Sequence, residues 1–153
     1  MRRFEEDPDI RIELTFEIER PVEEVFAYVT DPDKLPEWQP TTLAVTKETD
    51  GPMGKGTRLR EVRRGPMGKQ VESLVEVSEY EPNRRFALRI LSGPLPIDGH
   101  HEFEPTEAGT RLVFVAEGQP HGPMRILAPL LARVLRRQFA SYYVRLKTIL
   151  EAR

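Results

Sequence analysis

The chain has 153 residues, 39% of them hydrophobic and 31% charged, which suits one globular domain with a sizeable core and excludes a disordered chain. Its 23 basic and 25 acidic residues leave a formal net charge of −2, so no global field recruits nucleic acid. It has no cysteine, which excludes disulfides, thiolate catalysis and cysteine-based zinc sites within it.

Residues 1–8 read as a loosely ordered tail without the apolar stretch of a signal peptide. No uninterrupted run reaches the roughly 18 apolar residues of a bilayer span, so the expected location is the cytoplasm, with no stable membrane insertion. Strict alternation then begins. Ile10, Ile12, Leu14, Phe16 and Ile18 take one face, while Arg11, Glu13, Thr15, Glu17 and Glu19 take the other. Period two with one polar face predicts a half-buried strand of an antiparallel sheet. Val22, Val25, Phe26 and Val29 follow at helical spacing behind Pro21. With Glu23 and Glu24 at its positive end, this segment predicts a short amphipathic helix that Asp31-Pro32 terminates. The proline-broken stretch 33–40 allows one more brief helix, which carries Leu35 and Trp38.

From Leu43 to Gly118 the chain reads as strands near 42–49, 56–64, 70–80, 84–92, 97–104 and 109–118, joined by Gly-, Pro- and Asn-rich turns. Their tight spacing predicts a meander of hairpins. Neither Gly-Pro-Met-Gly-Lys segment is a P-loop, because Gly56 and Gln70 stand where a hydroxyl would hold magnesium. No other cofactor motif is present. After Pro123 the period becomes 3.6: Leu127, Leu131, Leu135, Phe139, Tyr142, Leu146 and Ile149 form a stripe along one long helix. Pro129 falls inside the stripe and predicts either a kink or the junction with a short lead-in helix. A curved sheet and one diagonal helix cannot fill the space between them, so an internal cavity is expected.

This order of elements, with Arg20-Pro21-Val22-Glu23-Glu24-Val25-Phe26, Asp31-Pro32, Leu35-Pro36-Glu37-Trp38, Gly56-Thr57-Arg58, Val77-Ser78-Glu79-Tyr80-Glu81-Pro82, Gly109-Thr110-Arg111-Leu112 and the closing Leu146-Lys147-Thr148-Ile149-Leu150-Glu151, resembles the START-like, or SRPBCC, superfamily. Within it, the chain resembles the polyketide cyclase/dehydrase and lipid-transport group. The resemblance implies a single α+β domain over 1–153 with the helix-grip fold: a curved antiparallel sheet of about seven strands round the long C-terminal helix, with two short helices after strand one. It permits carriage or sensing of a lipid-like or polycyclic aromatic ligand, or cyclase/dehydratase chemistry on a polyketide-like substrate. It does not fix the oligomeric state, monomer or homodimer.

Alternation assigns the inward residues. Val71, Ser73, Val75 and Val77 share one face, Phe86, Leu88 and Ile90 another, and Ile97, Gly99, His101 and Phe103 a third. Strands 56–64 and 109–118 are ambiguous: Leu59 shares a face with Glu61 and Arg63, and Leu112 and Phe114 compete with Val113 and Val115. His101 among apolar neighbours is either a proton donor or acceptor for a bound enol, or a hydrogen-bonded histidine of a half-buried strand. Glu61 inside a cavity would carry a raised pKa and serve as a general acid or base; one residue of slip makes it an ordinary surface carboxylate. The expected ligand walls are Leu35, Trp38 (at the mouth) and Leu59, then Ser73, Val75, Leu88, Ile90 and Phe103, and Leu135, Phe139 and Tyr142 from the helix. Ser73 lacks a base and reads as filler. His100 and His101 point to opposite faces, so no metal site is expected. Arg133, Arg136, Arg137, Arg145 and Lys147 on the helix read either as a solvated face complementing Glu13, Glu17 and Glu19, or as a surface for anionic lipid or an acidic partner. The last case makes the chain an interaction module.

Overall fold

The computed structural model describes residues 8–153; the expected tail, apart from Pro8, lies outside the described residues. Seven strands form one antiparallel sheet in the order β1-β7-β6-β5-β4-β3-β2: β1 (Ile10–Ile18), β2 (Thr42–Lys47), β3 (Arg58–Arg64), β4 (Gln70–Glu81), β5 (Arg85–Ser92), β6 (Ile97–Pro105) and β7 (Thr110–Gly118). Strands two to seven are a meander, and β1 closes the sheet by pairing with β7, Ile10 opposite Gly118 and Ile18 opposite Thr110. The alternation in β1 appears directly as burial: Ile10, Ile12, Leu14 and Ile18 are buried while their neighbours are exposed. The sheet curves around its inner face, helped by register shifts in β4 at Leu74/Val75 and Val77/Glu79, where β-bulges add local twist.

Helix α1 (Val22–Thr30) buries Val22, Val25, Phe26 and Val29, and the brief α2 (Leu35–Trp38) buries Leu35 and Trp38. Together they cover one end of the sheet. Tyr28 donates to the Glu37 carboxylate at 3.1 Å, and Arg145 donates to the Glu37 carbonyl at 2.6 Å, so α2 is tied to α1 and to the long helix. Helix α3 (Ala128–Glu151) crosses the inner face. Pro129 stands in its first turn, after a 3-10 turn at Gly122–Arg125, so it marks the junction rather than a kink. A proline costs nothing there because the first-turn N–H groups have no helical partner. Leu127 precedes the helix and is exposed, which shortens the apolar stripe expected from sequence.

The hairpin turn before β7 requires glycine. Gly109 has φ +156°, and a Cβ there would sit 2.2 Å from the Ile18 carbonyl oxygen. Behind α1 and α2 the core is densely aromatic: Phe26 packs edge-on against Phe103 at 5.1 Å and Tyr80 at 5.4 Å. Tyr143 of α3 touches Trp38 at 5.1 Å and Phe114 at 4.9 Å. On the other side of Tyr143 the packing stops.

Candidate functional site

Between the inner faces of β3–β7 and the middle of α3 lies a cavity of about 570 Å³. The meander supplies its walls by alternation: Ser73 and Val75 from β4, Leu88 and Ile90 from β5. Leu135, Phe139 and Tyr142 project from α3 at helical spacing. Gly99 leaves room on β6, since a Cβ there would already stand 3.1 Å from the Phe114 ring. Exposed Arg64, Pro94 and Gln138 mark the mouth, whereas buried His101, Phe114 and Tyr143 mark the floor.

Two polar clusters with titratable groups stand in these walls. On the floor, His101 Nδ1 lies 3.2 Å from the Phe86 carbonyl and Nε2 lies 2.5 Å from the Tyr143 hydroxyl. A carbonyl only accepts, so Nδ1 carries the hydrogen and bare Nε2 accepts from Tyr143. Burial pushes the His101 pKa down from 6.5 to about 4; the Phe86 bond opposes this and His100 adds to it. Burial also holds the Tyr143 phenol well above its usual range, with Arg63 pulling weakly the other way. At neutral pH both partners are therefore uncharged and satisfied by each other.

The second group closes one wall. Glu61 is buried in the lining, and its Oε2 accepts from Arg63 Nη2 at 2.9 Å and Nε at 3.3 Å; Nη2 also reaches Gln39 Oε1 at 3.3 Å. Next to this pair the hydroxyls of Thr41 and Tyr142 share a hydrogen bond. The charge on Glu61 is thus matched by a neighbour on its own strand, and removal of Arg63 would leave Glu61 as an uncompensated buried charge.

Several residues expected at the ligand stand elsewhere. Trp38 is 1% exposed and lies behind Tyr143, away from the mouth, and its indole N–H has no partner among the described residues. Leu35 and Phe103 belong to the packed core beneath α1 and α2. Leu59 is buried two residues from Glu61, outside the lining. For Leu35, Trp38 and Phe103 the reason is shared: α1 and α2 fill their end of the sheet, so these residues pack against side chains instead of facing space. Tyr143 and Arg63, by contrast, are cavity-lining residues that the sequence pattern alone does not single out. Tyr143 lies four residues from Phe139 and three from Leu146, a spacing that places it on the buried stripe. His121 is exposed in the loop before the 3-10 turn, whereas His101 is buried. Among the described residues no group of three or more His, Asp or Glu side chains could hold a metal ion, and no helix is long and apolar enough to cross a membrane.

The family described as polyketide cyclase / dehydrase and lipid transport matches residues 9–151. No curated protein matches the chain. Solved structures share its fold: a START superfamily protein from Mycobacterium smegmatis, at 15% identity and TM-score 0.80, covers 93% of this chain and 97% of its own. A protein from Thermus thermophilus, at 23% identity and TM-score 0.77, covers 93% and 97%. A third, from Rhodobacter sphaeroides, has 23% identity and TM-score 0.70 and covers 95% of each chain.

Proposed function

The chain belongs to the polyketide cyclase/dehydrase and lipid transport family, and from that premise we propose that its cavity holds one small hydrophobic molecule, lipid-like or polycyclic aromatic, as a carrier or sensor. The observation that carries this reading is the cavity itself: about 570 Å³, within the roughly 300–1,000 Å³ range of small-molecule pockets, with an apolar surface from Val75, Leu88, Ile90, Phe114, Leu135 and Phe139 beside its polar groups. The state of the polar groups supports carriage over catalysis. The one lone pair that would make His101 a base is occupied by the Tyr143 hydroxyl, and Glu61 is neutralised by Arg63. Native mass spectrometry of protein purified from its own host tests the reading. A bound small molecule that is released on denaturation is the expected result; protein of bare-chain mass that also takes up no apolar dye would end it.

A second reading, a cyclase or dehydratase, is favoured by one feature: Glu61 and His101 border the same cavity. In it, His101 or Glu61 moves protons on a substrate that the walls hold folded. If the co-purified molecule is chemically altered on incubation with the wild type, but not with His101→Ala or Glu61→Gln, turnover replaces carriage. An interaction module using the basic helix would be favoured by a filled core, and this core is not filled.

A further inference from the structure

Several of the large exposed apolar side chains cluster, while Leu43, Leu91 and Val144 stand apart on β2, β5 and the second half of α3. Ile126, Leu127, Leu130 and Val134 are each 52–83% exposed, along the approach to α3 and its outer face, and Met67 protrudes fully from the β3–β4 turn. Leu130, Val134 and Arg137 succeed one another at helical spacing, on the side of α3 turned away from Leu135 and Phe139. Both segments adjoin the cavity mouth. Gly65 lines it two residues before Met67, and Leu135 and Gln138 line it beside Val134 and Arg137.

Charge follows the same boundary. Between Gln119 and Leu150 there is no acidic residue and there are six basic ones; residues 62–71 likewise contain Arg63, Arg64 and Lys69 and no carboxylate. The 25 acidic residues lie elsewhere in the sequence, so a net charge near zero conceals two basic segments without a carboxylate of their own. Part of that charge is used internally: Arg125 pairs with Asp9 at 3.2 Å, and Arg136 reaches the Glu13 carbonyl at 3.4 Å. Arg133 and Arg137 make no bond to any described residue and stand among the exposed leucine, isoleucine and valine side chains.

We propose that this rim docks on an anionic membrane surface, Ile126, Leu127, Leu130 and Met67 entering the headgroup layer while Arg133 and Arg137 meet lipid phosphates. Aliphatic side chains interleaved with arginine on one helix face are the chemistry of an interfacial helix, where burial and electrostatic attraction add. Docking does not require any particular cavity occupant, but on the carrier reading it sets the mouth against the bilayer and gives a hydrophobic ligand a path that avoids water.

Co-sedimentation with phosphatidylcholine vesicles, with and without phosphatidylglycerol, tests this. The protein is expected to pellet with the phosphatidylglycerol vesicles, to be released by added salt, and to bind at least about tenfold more weakly as Arg133→Glu/Arg137→Glu. Leu130→Asp should weaken binding as well. Failure to pellet with either vesicle overturns the proposal, as does equal binding to both that ignores the arginine reversal. A dimer that Leu130→Asp dissolves, with no vesicle binding, would assign the rim to a second copy instead. Nile red uptake into the cavity separates the two readings: the arginine variant should keep it. Vesicle binding by a wild type that takes up no dye would retire the carrier reading and leave docking standing.

Discussion

At the scale of single residues, His101 shows how burial decides chemistry. An imidazole in water protonates near neutrality, but here the charged form would sit in an apolar floor with its accepting nitrogen already facing a hydroxyl, so its pKa falls from 6.5 to about 4. The unfolded chain therefore binds a proton at pH values where the folded one does not. Stability contributed by this group is complete above about pH 6.5, declines as pH falls from there to about 4, and is gone below; the full span is worth about 3 kcal/mol. His101→Phe removes the titration and should cost about 1–3 kcal/mol at pH 7, because the Phe86 carbonyl and the Tyr143 hydroxyl lose their partner. Urea unfolding at pH 7 and pH 5 checks both parts. Between those two pH values the wild type should lose about 2 kcal/mol more than the variant, and parallel losses would mean the histidine is not buried neutral.

At the scale of elements, the long helix is held by a residue almost the whole chain away. Arg20, at the corner between β1 and α1, donates to the Leu150 carbonyl at 2.8 Å and the Glu151 carbonyl at 3.2 Å, and also reaches the Arg153 carbonyl. Leu150 and Glu151 belong to the last turn of α3, whose carbonyls have no onward i+4 partner within the helix; the Leu150 carbonyl also accepts from the Arg153 N–H at 3.3 Å, and a cation there complements the dipole. Arg20→Ala should destabilise the protein by about 1–2 kcal/mol, with Arg20→Lys intermediate, since a single ammonium matches the fork poorly. An alanine variant that unfolds at the wild-type urea concentration would show that α3 seats without this clamp. No sequence signal links residue 20 to residue 150, and the same limit governs the site. Periodicity in β1 and α3 is legible because each buries one face. The facing of β3 is not, because its inner face carries an ion pair, Glu61 with Arg63, and a pattern of charges looks the same whether it points to solvent or to a partner. In β7, Leu112 and Phe114 are buried on one face and Val115 on the other, so alternation vanishes. Trp38 reads from sequence as a mouth residue and is not one, because a four-residue helix takes its orientation from Glu37's distant partners, Tyr28 and Arg145.

At the scale of the whole molecule, one half is packed for stability and the other is left open, and Tyr143 is the partition. The aromatic cluster under α1 and α2 makes the domain cohere without any guest, so the space in front of Tyr143 is available to be used. If that is so, filling the space should abolish binding without costing the fold. Val71 lies in the lining, half-buried, on the β3–β4 hairpin side of the cavity, opposite Arg63 in the ladder and making no hydrogen bond through its own side chain. Val71→Trp turns its added volume into the opening, where it meets empty space, so the overpacking penalty of a filled core does not apply. Its urea midpoint should stay within about 1 kcal/mol of the wild type, whereas Nile red affinity should fall at least about tenfold. Apolar dye present at about 100 times its Kd should raise wild-type stability by about 3 kcal/mol and leave the variant almost unmoved. A variant that unfolds early would mean that the mouth is tighter than its lining implies. One that still takes up dye at wild-type affinity would place the guest somewhere other than between the sheet and the helix.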